Sequence, residues 1–336
     1  MAMGTSEGVW FEMMPRDQTD TSRSKRPVRI GLVGCGRLAE FGYLPAFRRA
    51  SGVALVGVAD VNLLRCTQIA PEVSAYTTIQ DLIQAGEVDA IIISTPTRSH
   101  LADATAAAHA KLPTLLEKPP GIDMREAEAL LDLVPRPSIA FNRRFDPGLV
   151  QLRRNVPTEG MLNVWLELHY RRTVWNPFDM RDDALLDLGP HLIDLARWLT
   201  GSEVTSVRTQ ALNQEYVEFA LELKRGQATV ICSCNSPYRE RVQVRTSDGR
   251  ALGTIRRGGI VAGIIGKLFR GRENPLVNSL VSQLEAFSCT VQGVPSPQPL
   301  SSAVDGVKVM SIIEAARSSA HSGGSRRSVF ELFQAD

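Results

Sequence analysis

Three features are scarce in this sequence, and each scarcity excludes a class of protein. Cysteine occurs only five times, at positions 35, 66, 232, 234 and 289, without the paired spacing of a disulfide framework or a zinc site. The formal net charge is only +2 and the basic residues are scattered, so we expect no nucleic-acid partner. No apolar run approaches the roughly 20 residues that a membrane-spanning helix needs, so we expect no membrane partner either. What remains is an ordinary globular protein.

The length of 336 residues and a change of pattern after Pro147 predict two domains behind an N-terminal tail. Residues 1–26 contain four acidic residues and lack the charged-then-apolar order of a signal peptide. We therefore expect a cytoplasmic protein whose tail is flexible or packs on a neighbouring subunit. The predicted domains are residues 27–147 and 148–336.

The first predicted domain alternates short β-branched runs with helical stretches, a pattern typical of parallel strands joined by crossover helices. Because the strands are apolar throughout, we expect a doubly wound α/β sheet covered on both faces. The predicted strands are 28–33, 53–59, 90–94, 114–117 and 138–141, and the predicted helices are 37–49, 79–85, 99–110 and 124–133.

The second predicted domain contains strands that alternate apolar and polar residues, as strands with one open face do. Turn signals at 224–227 and 247–250 separate them, which indicates a mainly antiparallel α+β domain. Cys232 and Cys234 alternate along one of these runs and are expected on one face of a strand. The predicted strands are 161–170, 216–223, 228–235 and 242–246, and the predicted helices are 280–291 and 303–320.

A glycine-rich loop joins the first predicted strand to its helix and has the spacing G-x-G-x-x-G/A. Gly34 permits a tight turn, Gly36 lets the backbone approach a pyrophosphate, and Ala39 keeps the helix close to the strand. Leu38 lies at the helix start, whose free N–H groups suit phosphates, and Arg37 adds a positive charge there. The loop therefore predicts a dinucleotide cofactor.

Asp60 ends the second predicted strand, where a carboxylate can bind the adenine ribose hydroxyls and repel a 2′-phosphate. This favours NAD, although Arg65 lies close enough in sequence to leave NADP open. Further along the same sheet edge, Thr95 and Pro96 precede a helix that His100 begins. We expect these three residues to line the nicotinamide pocket.

Glu117 and Lys118 follow the predicted strand 114–117, at the edge of the sheet where ligands of open α/β folds bind. We expect both residues beside the cofactor. The lysine can donate a hydrogen bond to a substrate oxygen and stabilise the negative charge that develops on it. Lys118 is therefore predicted to be catalytic.

A second catalytic motif, Asp-x-x-x-His, is formed by Asp187 and His191. Gly189 and Pro190 predict a helix start, and Gly201 predicts its end. In the first turn of that helix, the dipole would lower the pKa of His191 and leave a neutral imidazole able to take a proton from an alcohol. Asp187 would hold the ring or bind a substrate hydroxyl. The spacing also suits a metal, but the sequence offers no third ligand, so no metal is predicted.

Together these motifs resemble the Gfo/Idh/MocA family of oxidoreductases, from about Val28 to Phe330. The resemblance implies a Rossmann domain, a C-terminal domain with a large open sheet that often forms dimers or tetramers, and a pocket between them. It implies hydride transfer to or from sugars, inositols or nucleotide sugars, with Lys118, Asp187 and His191 at the family's catalytic positions. The motifs are Gly-Leu-Val-Gly-Cys-Gly-Arg-Leu-Ala at 31–39, Val-Ala-Asp at 58–60, Ser-Thr-Pro-Thr-Arg-Ser-His at 94–100, Glu-Lys-Pro at 117–119, Asn-Arg-Arg-Phe-Asp-Pro at 142–147 and Asp-Leu-Gly-Pro-His-Leu-Ile-Asp at 187–194.

The sequence departs from the family before its Asp-x-x-x-His motif, where Arg-Asp-Asp-Ala-Leu-Leu at 181–186 replaces a glycine-rich stretch. Pro190 also replaces a small apolar residue, so the family's substrates are not carried over. Arginines among the candidates suit a phosphate, carboxylate or nucleotide group, whereas the nearby acids at 179, 182 and 183 suit an aminated sugar or cyclitol. The apolar-then-basic segment 258–272 predicts a loop near the pocket or a subunit contact rather than a membrane contact. The candidate substrate residues are Asn142, Arg144, Tyr170, Arg172, Trp175 and Asp194.

Three functions are compatible with the sequence. The first is an NAD(P)-dependent oxidoreductase that transfers a hydride between nicotinamide and a hydroxyl or keto carbon of a sugar, cyclitol or nucleotide sugar. The second uses transient oxidation to drive glycoside cleavage or epimerisation. The third is a non-enzymatic dinucleotide sensor on the same fold. Because Lys118 and His191 are both present, we favour an enzyme, and we expect a homodimer or homotetramer formed through the C-terminal sheet.

Overall fold

Two seven-stranded sheets organise the computed structural model, which describes residues 26–172, 182–258 and 274–329. Residues 1–25 of the predicted N-terminal tail, Trp175 and nearly all of segment 258–272 lie outside the described residues. The strands are β1 (Val28–Val33), β2 (Val53–Ala59), β3 (Ser74–Tyr76), β4 (Ala90–Ile93), β5 (Thr114–Leu116), β6 (Ser138–Ile139), β7 (Leu162–Arg171), β8 (Val204–Leu212), β9 (Tyr216–Leu223), β10 (Gly226–Ser233), β11 (Asn235–Thr246), β12 (Ala251–Gly258), β13 (Ser301–Ser302) and β14 (Arg327–Ser328).

Nine α-helices connect and cover the sheets within these described ranges. A π-helical turn, Ala39–Tyr43, leads directly into the first of them, and short 3₁₀ segments occupy Thr97–Ser99, Leu130–Asp132 and Asn142–Phe145. The helices are α1 (Leu44–Phe47), α2 (Leu63–Ile69), α3 (Ile79–Gln84), α4 (His100–His109), α5 (Met124–Ala129), α6 (Pro147–Arg154), α7 (Ala184–Thr200), α8 (Pro275–Val291) and α9 (Ala303–His321).

The first sheet has the strand order β13-β6-β5-β4-β1-β2-β3, in which only β13 is antiparallel to its neighbour. The order reverses between β1 and β4, and the crevice outside the carboxyl ends of the strands at such a reversal is the usual ligand position. The predicted doubly wound domain is confirmed. Helix α2 and strand β3 were not predicted.

The second sheet has the order β12-β11-β7-β10-β9-β8-β14, and only the pair β7–β10 is parallel. The predicted mainly antiparallel sheet is therefore confirmed, although strands β8 and β12 were missed. Helices α7 and α9 pack on one face of this sheet. Because the helices cover only one face, buried and partly exposed residues alternate along the strands. Leu166 and Val230 point to the covered face, whereas Trp165 and Ile231 remain partly exposed on the other.

Helix α7 begins earlier than the sequence predicted. The side chain of Asp183 accepts a hydrogen bond from the backbone N–H of Leu186 and caps the helix, so Pro190 lies inside it rather than at its start. The predicted end is confirmed, because Gly201 adopts a left-handed conformation there with φ of 59°. As a result His191 lies about two turns into the helix, and the prediction that places it in the first turn is wrong.

Residues 275–302 return to the first sheet. Leu280 and Phe287 of helix α8 are buried against residues of the first domain, Leu32 and Tyr43 among them. Strand β13 then pairs with β6, through Ser301 opposite Ile139. In residues 26–172, 182–258 and 274–329, every helix is too short or too polar for a transmembrane span.

Candidate active site

The glycine loop after β1 leaves its backbone open to a ligand. Gly34 has a φ of 95°, and a Cβ atom there would lie 2.6 Å from the carbonyl carbon of Ser94, so only glycine fits. A Cβ atom on Gly36, by contrast, would meet no atom of the described part of the chain within 4 Å. The buried Ala39 packs the following π-helical turn against β1. This combination of an enforced turn and an open backbone fits a pyrophosphate.

Asp60 ties the end of β2 to this loop. Its Oδ2 atom accepts a hydrogen bond of 2.8 Å from the backbone N–H of Cys35, and its Oδ1 atom accepts one of 2.8 Å from Asn62. Each carboxylate oxygen has a second lone pair, so both can still accept from ribose hydroxyls. Arg65 donates from Nε to the carbonyl oxygen of Cys35 over 3.1 Å and forms an ion pair with Glu40.

His100 joins the loop that follows β4 to the loop that follows β5. Its Nδ1 atom lies 2.8 Å from the carbonyl oxygen of Pro119, and its Nε2 atom lies 2.9 Å from that of Thr95. The ring is 1% exposed, and burial lowers the pKa of His100 to about 4 despite these hydrogen bonds. Both ring nitrogens thus face backbone carbonyl oxygens, and the neutral ring donates its single N–H to one of them. The hydroxyl of Thr95 donates to Asp103 over 2.7 Å.

Glu117 fixes the backbone that carries Lys118. The hydroxyl of the buried Tyr43 donates to Oε1 of Glu117 over 2.7 Å, and the backbone N–H of Lys118 donates to Oε2 over 3.2 Å. Burial raises the pKa of Glu117, against the lowering effect of Tyr43 and Lys118. Both oxygens of Glu117 therefore have partners inside the protein.

Asp187, on helix α7, contacts the charged groups of the site. The ammonium of Lys118 lies 2.9 Å from the carbonyl oxygen of Asp187 and 3.5 Å from its Oδ1 atom. Its Oδ2 atom accepts from the hydroxyl of Tyr170 over 2.5 Å and from Nη2 of Arg172 over 3.1 Å. Burial alone would raise the pKa of Asp187, but Lys118, Tyr170 and Arg172 hold it below its usual value. Asp187 is therefore an ionised anchor.

His191 lies one helical turn after Asp187, so both side chains lie on the same side of α7. Burial first, and then the charges of Lys118 and Arg143, lower the pKa of His191 well below its usual value. The imidazole is neutral as the sequence predicted, but the predicted cause, the helix dipole, is wrong because the ring is far from the helix start. Its Nδ1 atom is buried and has no hydrogen-bond partner among the described residues.

The predicted substrate residues fall into two groups. Tyr170 and Arg172 lie at Asp187, beside the catalytic candidates. Arg144 and Asp194 bond to each other instead, over 2.9 and 2.5 Å, and Asp194 is 1% exposed. Asn142 donates to the hydroxyl of Ser279 on α8 over 3.1 Å. The second group thus has its partners inside the protein.

Three site residues were missed by the sequence predictions. Arg143 is close enough to His191 to lower its pKa, and it forms an ion pair with the buried Glu240. Glu240 also accepts from Arg257 over 3.1 Å. Cys234 lies 3.7 Å from Oδ2 of Asp187. The only sequence signal for Arg143 is its place in the run Asn-Arg-Arg, and nothing local predicts that Glu240 and Cys234 reach the site.

The open glycine loop and Asp60 at the end of β2 define a protein with a Rossmann-type dinucleotide-binding domain, and Lys118, Asp187 and His191 cluster at the same sheet edge. Residues 28–140 match the oxidoreductase family with an NAD-binding Rossmann fold, and residues 163–252 match the GFO/IDH/MocA C-terminal domain. The chain belongs to the Gfo/Idh/MocA oxidoreductase family.

Similar proteins include several that are named for cyclitols. The chain is 34% identical over 189 residues to the rhizopine catabolism protein MocA of Rhizobium meliloti, covering 54% of this chain and 59% of that protein. It is 25% identical over 334 residues to inositol 2-dehydrogenase 2 of Paenarthrobacter aurescens, covering 90% and 99%. The structure of scyllo-inositol dehydrogenase from Lactobacillus casei with bound NAD(H) and scyllo-inositol has a TM-score of 0.74 at 18% identity, covering 90% and 99%. At 18% identity, the similarity to this last structure shows a shared fold only.

Proposed function

We propose that this protein is an NAD-dependent dehydrogenase or ketoreductase that acts on a hydroxyl or keto carbon of a cyclitol or a related sugar. One observation carries the proposal: Lys118 and His191, from distant stretches of chain, share a cluster with Asp187 at the carboxyl edge of the first sheet. The names of the relatives support a polyhydroxylated ring as the substrate. Because the alignment with MocA spans only 59% of that protein, its name supports the class of substrate and not a particular substrate.

Lys118 and His191 have different roles in the proposed acid–base chemistry. When bound at the glycine loop, a nicotinamide cofactor would supply the hydride acceptor or donor. The ammonium of Lys118 donates a hydrogen bond to the substrate oxygen and stabilises its developing negative charge. The neutral imidazole of His191 accepts the hydroxyl proton during oxidation and returns it during reduction. Because Lys118 and Arg143 disfavour an imidazolium, a proton received by His191 is readily released.

Asp187, Tyr170 and Arg172 position these groups. Asp187 holds the Lys118 ammonium through its carbonyl oxygen, and its ionised carboxylate needs the donors Tyr170 and Arg172. Among the described residues, Oδ1 of Asp187 has only the long contact with Lys118, so it can accept from a neighbouring substrate hydroxyl. Among the predicted substrate residues, Tyr170 and Arg172 are therefore the ones we expect to contact the ring.

The preference for NAD rests on Asp60. Its carboxylate is fixed by Cys35 and Asn62 and keeps lone pairs for the ribose hydroxyls, whereas a 2′-phosphate would meet a negative charge. Arg65, which left NADP open, is paired with Glu40.

The open face of the second sheet is the surface that we propose for homo-oligomer contacts. It lies opposite helices α7 and α9, and Trp165 and Ile231 are partly exposed on it. Light scattering of the purified protein tests this proposal, which predicts a dimer or tetramer that Trp165→Arg weakens.

A substrate screen tests the proposed activity. Purified protein is incubated with NAD or NADP and with inositols, aminocyclitols, sugars or nucleotide sugars, and the absorbance of the reduced nicotinamide is followed. We expect NAD reduction with at least one cyclitol, and a fall of about 10²–10⁴-fold in turnover for His191→Ala. His321→Ala, at an exposed histidine, is the matched control. Turnover without net use of NAD would favour transient oxidation, and dinucleotide binding without turnover would favour a sensor.

A further inference from the structure

Glu40 lies between two arginines beside the glycine loop. Its Oε2 atom accepts from Nη2 of Arg65 and, over 3.4 Å, from Nη1 of Arg37. The three side chains are 28%, 22% and 36% exposed, so the cluster is open to a ligand from one side. A carboxylate held by two guanidinium groups occupies the same kind of position that a phosphate group takes between arginines.

The cluster is close to the expected position of the adenine ribose. Asp60 accepts from the backbone N–H of Cys35 over 2.8 Å, and Arg65 donates to the carbonyl oxygen of Cys35 over 3.1 Å. The carboxylate of Asp60 and the guanidinium of Arg65 are thus held by the N–H and the carbonyl group of the same residue, Cys35. A phosphate on the 2′-oxygen of a ribose bound at Asp60 would therefore lie within reach of Arg65.

We propose that Glu40 acts as a built-in competitor for a 2′-phosphate and is a second determinant of cofactor choice beside Asp60. This inference rests on the proposed function, since it requires a nicotinamide dinucleotide at this loop. Arg37 and Arg65 would attract the additional phosphate of NADP if Glu40 did not occupy them. Glu40 pairs with both guanidinium groups and offsets one of their two positive charges, and its own charge repels the incoming phosphate.

A purely structural role for Glu40 predicts a different outcome. In that case the ion pair with Arg65 would only hold the π-helical turn to α2, and its loss would weaken both cofactors alike. Glu40→Gln separates the two roles, because the amide oxygen can still accept from Arg65 while the negative charge is lost. Glu72→Gln, which removes the charge of a carboxylate that lies 3.8 Å from Arg48 in the same domain, is the matched control.

Equilibrium binding measures the effect without any turnover. Isothermal titration calorimetry compares NAD with NADP, and adenosine 5′-monophosphate with adenosine 2′,5′-bisphosphate, which differ only in the 2′-phosphate. We expect Glu40→Gln to tighten NADP and the bisphosphate by about tenfold or more, with the Kd of NAD within about threefold of wild type. The gain should shrink as salt is added.

A second substitution keeps the inference testable if Glu40→Gln does not fold. Arg65→Gln leaves Glu40 without its main counter-charge, so the bisphosphate should bind about tenfold more weakly while the monophosphate changes little. In the double variant, the gain from Glu40→Gln should largely disappear, which is the coupling expected of a shared phosphate site.

The outcomes separate this inference from the proposed function. If wild type binds neither NAD nor the monophosphate, the proposed cofactor is wrong and the role of Glu40 is wrong with it. If NAD binds normally but neither Glu40→Gln nor Arg65→Gln changes the affinity ratio of bisphosphate to monophosphate, only the role of Glu40 is overturned. Equal weakening of both ligands would assign Glu40 a structural role and would also overturn the inference.

Discussion

The ammonium of Lys118 lies 2.9 Å from the carbonyl oxygen of Asp187. Lys118 follows β5 of the first sheet, and Asp187 lies in the first turn of α7, which packs on the second sheet. One hydrogen bond therefore connects the two layers at the point where the substrate oxygen is expected. In the proposed mechanism, Lys118 both donates to the reacting oxygen and sets the distance between that oxygen and the helix that carries His191.

Lys118→Ala should lower turnover by about 10²–10⁴-fold, because the substrate oxygen loses the donor that stabilises its charge. The Kd of NAD should stay within a few-fold of wild type, since the glycine loop and Asp60 are untouched. Steady-state kinetics and calorimetry of the same preparation measure both quantities. Near-normal turnover would contradict the catalytic role of Lys118.

Tyr170→Phe should raise the pKa of Asp187, because the carboxylate loses a hydrogen bond of 2.5 Å that stabilises its charged form. If ionised Asp187 is required, the acid limb of the profile of kcat/KM against pH should move to higher pH. Tyr216→Phe, which removes a hydroxyl bonded to Glu218 elsewhere, is the matched control. An acid limb that stays in place while turnover falls would point to a direct substrate contact instead.

His100 should make folding stability depend on pH. Its pKa is about 4 in the folded protein and about 6.5 in the unfolded chain, so the unfolded state binds the proton first as the pH falls. Its contribution to stability is complete above pH 6.5 and is lost as the pH falls towards 4, by on the order of 3 kcal/mol. Urea unfolding across this range should show a smaller loss for His100→Gln than for wild type. The same loss in both proteins would contradict the prediction.

Tyr43→Phe should lower the free energy of unfolding by about 1–3 kcal/mol, because the buried Glu117 loses the donor to its Oε1 atom. Urea unfolding at neutral pH measures this change. Tyr76→Phe, at a half-buried tyrosine of β3, should cost much less. Equal losses in the two variants would show that Tyr43 contributes by packing alone.

The sequence predicted the features that depend on local pattern. Buried parallel strands are apolar throughout, and Gly34 is required by the turn itself, so both leave a signal in neighbouring residues. The start of α7 was mispredicted because Gly189 and Pro190 carry a stronger local start signal than Asp183, and packing of the whole helix outweighs it. The neutral state of His191 was predicted for the wrong reason, since burial and the charge of Arg143 come from other parts of the chain.

Long-range pairing explains the residues whose partners were not predicted. Arg144 and Asp194 are each plausible substrate ligands, but their two hydrogen bonds satisfy both. Glu40 and Arg65 are far apart in sequence, and neither alone indicates a contact. Such pairs become visible only when separate elements are brought together.

Strand β13 adds Ser301 and Ser302 to the edge of a sheet that otherwise consists of residues before position 140. Helix α8, which precedes β13 in the chain, buries Leu280 and Phe287 against the first domain. A fragment that stopped at position 147 would therefore present a bare strand edge and an uncovered apolar surface, which are the two features that promote aggregation. The two domains are consecutive over most of the chain, but because residues 275–302 complete the first one, we expect the two to fold as one unit.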